Sequence, residues 1–180
     1  PKLTDNDRKF LKKILDIENV SNSEIAKSMH VSPQAIFKIR EKLEHLGIIK
    51  GYTPIIDFKK IGINVMLLMV VSLTSKMWQA FSDDQITERI SKAPYVINAY
   101  RVGDESATHI LLLAFKDTAQ KEKYVSEVQT RFADEVSIKA TYTFSVDRII
   151  LNSSIKLLSE IIEKKDFSPD DLFLDPPDKD

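Results

Sequence analysis

Gln34, Lys38, Glu41 and His45 recur at intervals of three and four residues, so a helix carrying them presents them on one face, with Phe37 on its shoulder. Of these, Gln34, Phe37, Lys38 and Glu41 offer an amide, an aromatic ring, an ammonium and a carboxylate. Such groups hydrogen-bond base edges and touch thymine methyls in the major groove of DNA. Ser32, Arg40, Lys42 and Lys50 surround them, a hydroxyl and three cations suited to backbone phosphates, and Pro33 fixes the start of the helix. A solvated charged face on an ordinary amphipathic helix has a similar composition. Phe37, with no evident place in a core, tilts the reading towards contact with a partner.

Other chemistry has little support. His30, His45 and His109 are scattered and show no metal-ligand spacing. There is no cysteine, which excludes disulfides and thiolate catalysis and is compatible with a reducing cytoplasm. No serine elbow, phosphate loop or dinucleotide fingerprint occurs. We therefore expect no catalytic residue, no metal and no cofactor.

The face must be held by helices, and their start and stop signals are strong. Ser32 is suited to cap the helix that Pro33 opens, and Gly47 supplies a left-handed stop. Ile36, Ile39, Leu43 and Leu46 form its core stripe. Ser21 and Glu24 form a capping box for the helix before it. Together these two make a helix-turn-helix. A first helix over about 5–17, capped by Thr4, adds Phe10, Leu11, Ile14 and Leu15. Residues 48–52 read as a short strand, as in winged variants, and 54–62 as a linker.

Beyond residue 64 the apolar period changes. Strands are expected over 65–74, 96–102, 109–115 and 136–146, with helices over 83–93 and 118–132. In the last strand, Val136, Ile138, Ala140, Tyr142, Phe144 and Val146 alternate with Ser137, Lys139, Thr141, Thr143 and Ser145. The order βαββαβ closes an antiparallel four-stranded sheet with two helices on one face. The first strand is apolar on both sides, which implies a second cover. A second copy of the sheet is the economical one; a C-terminal helix over about 154–164, with Ile155, Leu158, Ile161 and Ile162, competes with it.

The net charge of −1 divides unevenly. Residues 1–60 hold twelve Lys or Arg against eight Asp or Glu, and the rest fourteen against nineteen, so the half with the helix-turn-helix is basic. Six aspartates from Asp166 onward meet only Lys179. The longest apolar run, Val65 to Val71, is too short for a membrane span, and no signal peptide is evident. A cytoplasmic protein is expected.

Several stretches together carry a resemblance: Leu3-Thr4-Asp5-Asn6-Asp7-Arg8-Lys9, Glu24-Ile25-Ala26, Ser32-Pro33 with Ile39 and Leu43-Glu44, and Leu46-Gly47-Ile48-Ile49-Lys50-Gly51-Tyr52, then Asp57 with Ile61-Gly62. In that order and spacing the chain resembles transcriptional regulators of the leucine-responsive/asparagine-regulator (Lrp/AsnC) family, up to about residue 150. The resemblance implies an α+β protein: a winged helix-turn-helix domain (1–53), a hinge (54–63), a ferredoxin-like RAM domain for dimerisation and effector binding (64–150), and a helical extension with an acidic tail (151–180). It also implies DNA-binding homodimers, often assembled into octamers or larger, that respond to amino acids or related metabolites. The effector site would lie at the loop between the second and third strands, with Gly103, Asp104, Glu105, Ser106, Thr108 and His109. Gly103 matches that pattern. The family's acidic residue before an aromatic does not, because Thr108 and His109 stand there. The extension, with Phe167, Leu172, Phe173 and Leu174 among its aspartates, is a second departure.

Two alternatives share the architecture. A sirohaem-decarboxylase-like enzyme needs cations for many tetrapyrrole carboxylates and a proton donor, for which Arg101, His109, Lys139 and Arg148 are the candidates. A metabolite sensor that no longer binds DNA is the other, and the basic N-terminal half argues against it.

Overall fold

The computed structural model describes residues 3–16, 21–104 and 106–163. In chain order these form α1 (Asp5–Asp16), α2 (Asn22–Met29), α3 (Pro33–His45), β1 (Val65–Leu73), α4 (Ser75–Ala80) and α5 (Asp83–Ser91). There follow β2 (Val96–Arg101), β3 (His109–Phe115), α6 (Thr118–Arg131), β4 (Val136–Ser145), a 3-10 turn and α7 (Ile155–Ile162). Two compact units result. One holds the described residues up to Pro54 with those from Leu151 onward; the other spans Ile55–Ile150. No described helix is long and apolar enough to cross a membrane.

Local hydrogen bonds explain the helical unit. Thr4 and Asp7 satisfy each other's backbone N–H groups at the start of α1. Ser21 and Glu24 do the same for α2. His30 then takes a left-handed conformation at φ 55, which turns the chain into α3. Past α3, Gly47 at φ +67 lets its own N–H reach Glu44 O and that of Ile48 reach Leu43 O, both at 2.9 Å, which closes the helix. Phe10, Leu11, Ile25, Ala26, Ile36 and Leu43 form the core. Residues 48–52 form no strand: Ile48 and Ile49 pack onto this core instead.

The extension also joins this unit. Ile162 packs against the core, Arg8 Nη1 donates to Ile162 O at 2.9 Å, and Lys12 pairs with Glu163. The C-terminal helix thus serves α1. The tail residues Phe167, Leu172, Phe173 and Leu174 lie outside the described residues, as does Ile17 at the expected end of the first helix.

In the other unit the strands lie in the order β2-β3-β1-β4, all neighbours antiparallel. Leu67, Met69, Val71, Leu113 and Phe115 face Tyr124 and Val125 of α6, while Leu73 and Met77 meet Ile86 of α5. The short α4 was not expected, since six residues carry too little periodicity to read.

The clean alternation of β4 does not put one set of residues on one face. Val71 pairs with Ile138 but Val70 with Ala140, so Lys139 is an extra residue, a β-bulge. Val136 and Ile138 therefore face the helices, whereas Ala140, Tyr142 and Phe144 face the other way, beside Val70, Leu68 and Met66. With Ile110 and Leu112 these make an apolar second face of the sheet on which Tyr142 is 60% exposed.

Candidate nucleic-acid interface

The face proposed for base reading stands on a well-anchored helix. Ser32 Oγ accepts from Ala35 N at 3.2 Å, Pro33 occupies the first turn, and Ile36 and Leu43 are wholly buried. Opposite this anchor Gln34, Phe37, Lys38 and Glu41 are exposed, Phe37 at 57%. A ring of that size left in water costs free energy unless a partner covers it.

The cations around the face differ in their surroundings. Lys50 is exposed. Arg40 is half-buried, its guanidinium 5.7 Å from the Phe10 ring and 5.3 Å from the Tyr52 ring, with Nε buried and without a hydrogen bond among the described residues. Tyr52 is fixed in turn by its hydroxyl, which donates to Glu44 Oε1 at 3.1 Å; burial, then this bond, push the phenol's pKa up. The segment after Gly47 thus folds back on α3, and Tyr52 fixes where Arg40 points. Lys42 Nζ sits 2.5 Å from Asp7 Oδ2, a carboxylate whose side chain is 2% exposed. It must leave that partner to reach a phosphate. Sequence reasoning missed both holders, because Asp7 lies thirty-five positions from Lys42 and Tyr52 fell in an expected strand.

The strand-connecting loop is split. Gly103, Asp104 and Ser106 are exposed, and Asp104 accepts from Ser106 N at 2.7 Å; bonds from the Ser106 hydroxyl and backbone hold its carboxyl below the usual range. Glu105 lies outside the described residues. Thr108 and His109 turn inward. Thr108 Oγ1 accepts from Leu73 N at 2.9 Å, and the His109 ring stacks on Trp78 at 6.4 Å with Nδ1 3.0 Å from Thr108 Oγ1. Burial, then the Arg101 charge, lower the imidazole's pKa against the opposing pull of Asp83.

The tetrapyrrole alternative needs Arg101, His109, Lys139 and Arg148 to converge. Arg101 and His109 are register partners, but Lys139 lies in β4, the opposite edge of the sheet from β2, about 14 Å away across three strand spacings. Among the described residues no three His, Asp or Glu side chains come together as a metal site.

No family model matches the chain. It is 28% identical over 123 residues to the transcriptional regulator AzlB of Bacillus subtilis, covering 68% of this chain and 76% of that one. It is also 28% identical over 130 residues to the regulatory protein AsnC of Haemophilus influenzae, covering 69% and 84%. Among solved structures, AsnC of E. coli matches with TM-score 0.65 at 23% identity, over 86% of this chain and 99% of that one. A transcriptional regulator from Neisseria meningitidis solved with L-methionine matches with TM-score 0.67 at 17% identity, over 85% and 95%. At such identities these two speak for the fold alone. The named relatives are regulators, not enzymes.

Proposed function

We propose that this chain, a transcriptional regulator of the Lrp/AsnC type, binds a specific double-stranded DNA site through α3 as a homodimer and answers to a small metabolite. Gln34, Phe37, Lys38 and Glu41 read base edges; Pro33 sets the start of the helix; Ser32, Arg40 and Lys50 meet phosphates, and Lys42 joins them on release from Asp7. The observation that carries this reading is the exposed quartet on a helix fixed from behind by Ile36 and Leu43. The apolar second face of the sheet supports pairing with another copy, since a monomer would leave Leu68, Leu112, Tyr142 and Phe144 facing water. The metabolite would be sensed in the second unit near Gly103, Asp104, Ser106 and His109, with Glu105 in the same loop.

A gel-shift titration of the protein on its own upstream DNA, with scrambled competitor and at two salt concentrations, tests the proposal. A specific, salt-sensitive shift is expected. Binding to scrambled DNA as tight as to the upstream region would reduce α3 to a scaffold.

A further inference from the structure

A groove of about 380 Å³ runs between α5 and the edge strand β2. Ile90 and the strand residues Val96 and Ile97 supply apolar walls, and Arg101 and His109, paired in register, close the other end. His109 is 5% exposed. Thr108 Oγ1 already accepts from Leu73 N, and its proton has a nearer acceptor in His109 Nδ1 (3.0 Å) than in Val71 O (3.4 Å). The Thr108 hydroxyl is thus placed to donate to Nδ1, which is the tautomer with the ring proton on Nε2, a nitrogen with no partner among the described residues. Arg101 lies over the Trp78 ring at 5.2 Å and is bonded to Asp83 at 2.6 Å. Both side chains of that pair are more than half exposed, so the bond is weak and exchangeable.

We propose that this groove binds a small aliphatic monocarboxylate. Its carboxylate would be held by Arg101 and His109 Nε2, and its hydrocarbon chain would lie against Ile90, Val96 and Ile97. A ligand carboxylate replaces Asp83 on the guanidinium fork and gains the Nε2 donor, two charge-assisted bonds where one existed. None of the lining residues is acidic and Asp83 stands only at the Arg101 end, so an ammonium at the far end of the hydrocarbon chain finds no counter-charge. The proposal rests on the metabolite-responsive reading above and supplies its ligand class.

Trp78 is the chain's one tryptophan and touches both anchors, so its fluorescence reports on the groove. The full chain, without DNA, is titrated with hexanoate, hexan-1-ol and 6-aminohexanoate, alongside the variants Arg101→Met and Ser91→Phe. We expect saturable change with hexanoate, none with the alcohol, weaker binding of 6-aminohexanoate, about a tenfold loss in Arg101→Met, and abolition in Ser91→Phe, whose ring fills the groove. Unchanged circular dichroism certifies the variants' folds. No saturable change with hexanoate, equal affinity in Arg101→Met, or 6-aminohexanoate binding at least as well would overturn the proposal. DNA binding, measured separately by gel shift, can stand in either case.

Discussion

Asp7, in the first turn of α1, holds Lys42 of α3 at 2.5 Å and at the same time accepts the Thr4 N–H at 2.8 Å. One buried carboxylate thereby closes the start of one helix and fixes the side of the helix proposed to read DNA. Burial alone would raise its pKa, but the bonds from Lys42 and Thr4 outweigh it and hold the carboxyl below 3.8. The folded state favours the charged form, so its stabilisation is present above the ordinary value and is lost as pH falls through the lowered one. Asp7→Asn should cost about 1–3 kcal/mol at neutral pH. Urea denaturation at neutral and acid pH checks this, and the variant's stability should vary less with pH below 3.8 than that of the parent.

Tyr52 lies against the guanidinium of Arg40, the proposed phosphate contact. Removing its ring in Tyr52→Ala takes away one of the two aromatic faces that hold the guanidinium. A contact of that kind is worth about 0.5–1 kcal/mol, so DNA affinity should fall about twofold to fivefold. Tyr52→Phe, which keeps the ring and loses only the bond to Glu44, should bind nearly as the parent does. Equal losses in both variants would assign the effect to the hydroxyl instead.

Much of this was written locally in the sequence. Ser32, Pro33 and Gly47 bound α3 through hydrogen bonds to residues a few positions away, so their types suffice to place it. The βαββαβ order followed from periods of apolar residues. What was hidden depends on distant partners. The bulge at Lys139 is set by the neighbouring strand, and a strict alternation cannot reveal that its two halves face opposite sides. Lys42 reads as a free phosphate contact until Asp7 is seen beside it, and the seat of α7 on α1 rests on a bond between Arg8 and Ile162.

The bulge gives the dimer proposal a clean test. Tyr142 stands on the outer face beside Leu68 and is 60% exposed. Tyr142→Asp is therefore tolerated by an isolated sheet but not by two sheets packed face to face, where it would bury a charge. Light scattering after size exclusion should show a dimer for the parent and a monomer of intact circular dichroism for the variant. A variant that remains dimeric places the pairing surface elsewhere.

Ending the chain at Ile150 removes α7 from the helical unit and with it the Ile162 packing, the Arg8 bond and the Lys12 pair. The helical unit should lose about 1–3 kcal/mol. Trp78 lies in the other unit, so its fluorescence transition should stay in place while the far-UV circular dichroism transition moves to lower denaturant. If both move together, the two units unfold as one.

Lys38 and Arg40 are two residues apart on α3 yet should fail differently. Lys38 is exposed beside Gln34 and Phe37 on the face proposed to read bases, whereas Arg40 is half-buried between Phe10 and Tyr52 at the flank. A base contact discriminates sequences, and a phosphate contact does not. Lys38→Ala should lose about 1–3 kcal/mol on the specific site and little on scrambled DNA. Arg40→Ala should weaken both alike and lower the slope of log affinity against log salt by about one. Fluorescence anisotropy on the two DNAs across a salt series separates these cases. Parallel losses in Lys38→Ala would move that residue from the bases to the backbone and leave Gln34, Phe37 and Glu41 to read the sequence.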